Sequence, residues 1–125
     1  VELLLDDCEE LEMETDRNRL TQILTNLLTN AIKHTREGFI RFGYKKTDGF
    51  VEFFIQDSGE GIPEDKVDSI FSRFVQLDDW SKGVGLGLAI CKGLVGQMQG
   101  KIWATSKLGE GSVFFVRLPL TVNII

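Results

Sequence analysis

The sequence predicts an α/β fold, a mixed sheet with helices packed against one face. Three observations carry this expectation. Residues Leu20–Thr35 repeat apolar side chains at helical spacing, while Phe39–Lys46 and Phe50–Gln56 are β-rich runs on either side of Asp48-Gly49, a strong hairpin signal. Helical and strand-like segments also mix without strict βαβ alternation, which argues against a parallel, doubly wound sheet. The 125 residues, 42% apolar and 26% charged, suit one compact domain, and no repeat, low-complexity tract or linker divides residues 1–125.

Taken in order, two short apolar stretches open the chain, near Val1–Leu5 and Leu11–Thr15. Asp16 has the chemistry of an N-cap, and the long amphipathic helix behind it runs to about Thr35, with Gly38 as its stop. After the hairpin comes the loop Asp57-Ser58-Gly59-Glu60-Gly61-Ile62-Pro63, then a short helix near Glu64–Phe71. The polar stretch Gln76–Lys82 leads into a glycine-rich run and a helix from about Gly85 to Gln97. Two strands, Lys101–Ser106 and Ser112–Leu118, flank the turn Leu108-Gly109-Glu110-Gly111 and close the domain.

Composition excludes several functions. A net charge of −5 gives little attraction for a polyanion, so we expect no nucleic-acid partner. No apolar run approaches the roughly 20 residues needed to span a bilayer, and no leader-like segment opens the chain. Because the sequence starts directly in a strand, we expect a fragment of a longer protein, attached to a membrane only through parts missing here. Cys8 and Cys91 lie far apart without metal-ligand spacing and fit two reduced thiols in a cytosolic domain.

On a wheel of 100° per residue, Leu20, Ile23, Leu24, Leu27, Leu28 and Ala31 form one broad apolar side. Asn26, Asn30 and Lys33 are expected together on the opposite side. That polar side fits simple solvation. It also fits a ligand site, since two amide oxygens one turn apart suit the hard Mg²⁺ ion and a lysine beside them suits phosphate.

The glycine motifs leave similar alternatives. Asp57, followed by Gly59 and Gly61, sits behind a strand where a carboxylate can accept a hydrogen bond from the exocyclic amine of adenine; the same residues also make ordinary turns. Gly83, Gly85 and Gly87 run into a helix whose N-terminal N–H groups can meet an anion, or they form a flexible joint. Walker A fails for want of Gly-Lys-Ser/Thr, and the dinucleotide fingerprint fails because position 88 is Leu88.

In order and spacing these motifs together resemble the catalytic domain of sensor histidine kinases, in the superfamily shared with DNA gyrase and MutL. Residues Asp16–Thr35 look like its N box and Asp57–Pro63 like its first glycine box. Phe71-Ser-Arg-Phe74 looks like its F box, Gly83–Ile90 like its second glycine box, and Gly109–Phe114 like its last hairpin. The resemblance covers nearly the whole chain. It implies the Bergerat ATP-binding fold, a two-layer α/β sandwich of a mainly antiparallel sheet and three main helices.

It also implies a site for ATP and Mg²⁺. Asn30, with Asn26, would hold the metal, and Lys33 would contact phosphate; Asn30 and Lys33 would serve the transfer itself. Asp57 would read adenine beside Gly59, Gly61 and Ile62, while Gly83, Gly85, Leu86, Gly87 and Leu88 would form the lid, with Phe71, Phe74 and Ser112 completing the pocket. The implied reaction donates the γ-phosphoryl group to a histidine on a separate helical hairpin, from which a response-regulator receiver domain would accept it. The expected location is cytoplasmic, as part of a membrane-anchored sensor.

Position 26 discriminates within the superfamily, whose hydrolases carry a general-base Glu there; Asn26 cannot take a proton at neutral pH, which argues against self-contained hydrolysis. Val84 stands where Thr is common, Gln76 where Arg is frequent, and the stretch between Phe74 and Gly83 is short. These departures keep open a nucleotide-binding module without catalysis. The one histidine, His34, ends the Asn-bearing helix and is expected to be structural or at the surface, and the phosphoacceptor motif of His-Glu/Asp followed by Arg and Pro is absent.

Overall fold

The computed structural model describes residues 2–5, 17–35, 37–47, 49–71 and 85–120. In chain order the elements are β1 (Glu2–Leu5), α1 (Arg17–His34), β2 (Phe39–Thr47) and β3 (Phe50–Asp57). A 3-10 helix (Glu64–Phe71), α2 (Gly85–Gln97), β4 (Lys101–Lys107) and β5 (Gly111–Pro119) follow. The expectations for Leu11–Thr15, Asp16, Cys8, Phe74, Gln76, Gly83 and Val84 fall outside the described residues.

The strands form one sheet in the order β1-β2-β3-β5-β4, antiparallel except for the parallel edge pair β1 and β2. This is the mixed, mainly antiparallel sheet of the sequence reading. The helical layer differs in one respect, since the element at Glu64–Phe71 is a 3-10 helix beside two α-helices.

Alternation builds the interface between the layers. On β3, Val51, Phe53 and Ile55 are buried, and on β5 Phe114, Val116 and Leu118 are buried. These are the positions that a period of two turns to one face. Against them lie Ile23, Leu27 and Ala31 of α1, Val67, Ile70 and Phe71 of the 3-10 helix, and Leu88, Cys91 and Val95 of α2. Phe71 meets Phe114 edge-on, with ring centroids 6.1 Å apart.

Both buried rows continue one step beyond the apolar residues. The next inward position on β3 is Asp57 and the next on β5 is Ser112, paired in register, and both are buried. The strand periodicity that makes the core therefore delivers a carboxylate and a hydroxyl to its end.

The wheel needs one correction. Leu20, Leu24 and Leu28 are only partly buried, while Asn30 on the supposed polar side is 2% exposed. Seven residues at about 100° each return Asn30 to within roughly 20° of Ile23. Because α1 packs against α2 as well as β3, its buried arc extends past Ile23 and takes in Asn30. Lys33 remains exposed.

Leu27 is 1% exposed at the centre of this packing. Leu27→Ala should lower the unfolding free energy by about 2–5 kcal/mol, read as a lower urea midpoint at unchanged m-value. A loss within about 0.5 kcal/mol would contradict the central place of this side chain.

Candidate functional site: a nucleotide pocket at the end of the core

Asp57 closes β3 with its side chain on the helical face. Its Oδ1 accepts a hydrogen bond from the Gly59 N–H at 2.9 Å, and the Ser112 N–H also donates to the carboxylate. Burial pushes the carboxyl above its ordinary value; these two donors and nearby His34 pull it back, and Glu60 opposes them. An acceptor held this way has spare lone pairs and a desolvation cost that a further donor would relieve.

The loop after Asp57 is tied down on three sides. The Ser58 hydroxyl accepts from Phe39 N–H at 2.8 Å and donates to the Phe39 carbonyl at 3.3 Å, fixing the loop to the start of β2. On the hairpin side, Ile62 N–H donates to Ser106 Oγ at 2.7 Å, and Gly109 N–H to the Glu60 carbonyl at 2.7 Å. Ser106 Oγ in turn donates to the Gly111 carbonyl at 2.9 Å and lies 2.8 Å from Ser112 Oγ. On the α1 side, Glu60 Oε1 pairs with His34 Nδ1 at 2.9 Å.

Two glycines make this approach possible. A Cβ on Gly59 would drive into the His34 carbonyl oxygen. One on Gly61 would strike the Lys107 carbonyl, and the φ of +75° there disfavours any other residue. A notch of about 270 Å³ at the rim of the sheet is lined by Asp57, Ser106 and Ser112 together with Gln56, Thr105 and Val113 of the face away from the helices, and by no described residue of α1.

One turn before His34 on α1 stands Asn30, about 6 Å along the helix axis. Its Oδ1 is buried and has no hydrogen-bond partner among the described residues; the same is true of Thr35 Oγ1. An orphaned polar group costs about 1–3 kcal/mol. A cation or a ligand donor would offset that cost, so the donor set fits a hard metal. Asn26, by contrast, hydrogen-bonds the Cys91 thiol, which also donates to the Ile23 carbonyl at 3.7 Å and whose pKa burial pushes up to about 11.

The remaining candidates divide. Gly85, Leu86 and Gly87 form the first turn of α2, where N–H groups lack intrahelical acceptors. Ile62, Phe71 and Leu88 are core residues, at 0%, 6% and 1% exposure, and back the pocket from within. His34 has a structural contact of the expected kind, tying α1 to the glycine loop through Glu60. Sequence reasoning overlooked Ser106, the hydroxyl that joins loop and hairpin. A serine inside a strand directly opposite another serine was its only signal.

Residues 15–122 match the family of histidine kinase-, DNA gyrase B- and HSP90-like ATPases. The chain is 40% identical over 109 residues to the adaptive-response sensory kinase SasA of Synechococcus elongatus, covering 84% of this chain and 28% of that protein. It is 40% identical over 121 residues to the sensor protein kinase WalK of Staphylococcus haemolyticus, covering 91% and 20%. Among solved structures it superposes on the catalytic domain of the histidine kinase ThkA with a TM-score of 0.82 at 36% identity, covering 95% of this chain and 78% of that one. Full-length ShkA in complex with AMPPNP gives a TM-score of 0.86 at 32% identity, covering 99% of this chain and 26% of that one.

The class that fold and site define is thus the family of histidine kinase-, DNA gyrase B- and HSP90-like ATPases. Within it, the chain belongs to the histidine kinase catalytic domains, and it spans under a third of the length of the two sensor kinases named above.

The raised Asp57 pKa has a testable sign. A carboxyl raised in the native state contributes stability that is present below its ordinary value of 3.8 and lost as pH rises through the native value. Urea midpoints taken side by side from about pH 3 to about pH 7 should show wild type losing ground to Asp57→Asn as pH rises. A pH-independent difference would contradict the burial cost.

Proposed function

We propose that this chain is the catalytic domain of a longer sensor histidine kinase, one domain over residues 1–125, binding Mg²⁺–ATP and passing the γ-phosphoryl group to a histidine on a separate helical hairpin. The observation that carries the proposal is the buried, unpartnered oxygen of Asn30 on the helix that ends beside the Asp57 loop. One residue offers an oxygen to a cation and the other an acceptor to a purine amine, and Asn30 stands one helical turn before His34, whose carbonyl abuts Gly59.

In this proposal Asp57 accepts the exocyclic amine, and Gly59 and Gly61 bring backbone against the base. Guanine presents an acceptor at the matching edge and would be rejected. Ser112, through Ser106, keeps the wall of the pocket fixed. Asn30 orients the metal and Lys33 places positive charge near the phosphates, while the first-turn N–H groups of α2 at Gly85, Leu86 and Gly87 face the same anion. Gly83 would complete the lid and Phe74 the pocket. Bound magnesium supplies charge neutralisation of the phosphate oxygens.

The chain's own part in transfer is positioning. The attacking imidazole nitrogen forms the bond to the γ-phosphorus as the bridging oxygen departs with ADP. Asn26, an amide engaged by Cys91, has no means of activating water in place of that imidazole. The receiving hairpin and the membrane anchor belong to other parts of the protein, a partner response regulator takes the phosphoryl group onward, and this domain lies on the cytoplasmic side.

Calorimetry with a non-hydrolysable ATP analogue tests the ligand roles. Asn30→Ala should lower affinity roughly tenfold with magnesium and much less without it. Equal losses would remove the metal role. Asp57→Asn should weaken ATP and leave little preference over GTP; unchanged affinity would remove the purine role. Labelled ATP with a purified phosphoacceptor hairpin should give phosphohistidine, and binding without transfer would mean a nucleotide-binding module.

A further inference from the structure

The sheet ends at β4, which pairs with β5 on one side and with no strand among the described residues on the other. An antiparallel strand turns alternate N–H and C=O groups to each side, so this free edge offers a row of backbone donors and acceptors. Beside it runs a groove of about 490 Å³, walled by Lys92, Val95 and Gly96 of α2 and by Lys101, Ile102 and Trp103 of β4.

The walls have distinct chemistry. Gly96 leaves open space, since an added Cβ would meet nothing within 4 Å. Val95 is 1% exposed and Ile102 partly buried, which makes the floor apolar. Trp103 is stacked on Phe115 with centroids 5.2 Å and planes 14° apart, on the sheet face away from α2, which stiffens the strand edge that the groove runs beside. Lys92 and Lys101 are exposed, no Asp or Glu among the described residues lines the groove, and the chain as a whole carries −5. The groove is a cationic spot on an acidic molecule.

Edge lysines ordinarily prevent pairing of two like edges. Here the same charges would repel a second copy of this basic edge and attract a strand bearing carboxylates. We propose that β4 and this groove accept an extended acidic segment of a partner protein by strand addition. The partner's backbone pairs with β4, its apolar side chains rest on Val95 and Ile102, and its carboxylates meet Lys92 and Lys101. Lys101 lies five residues along β4 from Ser106, about 17 Å at strand spacing, so this surface is independent of the nucleotide pocket.

The test is nuclear magnetic resonance of the isotope-labelled chain titrated to about 1 mM with a capped heptapeptide of alternating Glu and Val. Amide shifts should be confined to β4 and the second half of α2. Affinity should fall roughly tenfold in the Lys92→Glu, Lys101→Glu double variant, with binding of the ATP analogue unchanged. A peptide with proline at its centre and a Lys-Val counterpart should both fail to bind. If the double variant does not fold, the Lys92→Gln, Lys101→Gln pair takes its place. Absence of shifts at β4, equal binding by the variant or by the proline peptide, or shifts seen only with phosphatidylglycerol vesicles would each overturn the proposal.

Discussion

The structure depends on one buried carboxylate at the end of a hydrophobic row. Strand alternation carries Val51, Phe53 and Ile55 into the core and leaves Asp57 the next inward place, opposite Ser112. A carboxylate taken out of water must be supplied with donors. Two backbone N–H groups, from Gly59 and Ser112, meet that need only if the loop folds back sharply and β5 arrives in register. The glycine at 59, the Ser58 bonds to Phe39, the Ser106–Ser112 pair and the hairpin contact at 109 all follow from holding that loop in place.

The same reasoning explains the long helix. α1 packs against β3 with one side and α2 with another, and the wider arc buries the Asn30 amide. Asn26 finds the Cys91 thiol, whereas Asn30 keeps an oxygen without a partner among the described residues. The two amides that look equivalent in sequence are therefore unequal in structure. His34, one turn on, grips Glu60 and so couples this helix to the loop that carries Asp57.

Much of this was legible beforehand, for stated reasons. β2 and β3 pair as the expected hairpin with Gly49 at a φ of +75°, Gly38 marks the turn after α1 with a φ of +113°, and α2 runs over the expected Gly85–Gln97. Local chemistry determines such features. Asn30 was legible too, since seven residues at about 100° each set it within roughly 20° of Ile23, and grouping it with Lys33 on the polar side overlooked that angle. Ser106 escaped notice because its importance comes from Ile62, 44 residues away, meeting the same oxygen as Gly111 and Ser112 across the hairpin. The short helix at Glu64–Phe71 stands at its expected bounds, and its 3-10 form had no local signature, since the burial of Val67, Ile70 and Phe71 suits both helix types.

The most direct measurement is a crystal structure of the chain grown with a non-hydrolysable ATP analogue and magnesium. The account predicts the exocyclic amine of adenine within hydrogen-bond distance, about 3 Å, of an Asp57 carboxylate oxygen, with the metal bound by Asn30 Oδ1. A purine seated away from Asp57, or a metal that ignores Asn30 while the phosphates are ordered, would contradict it.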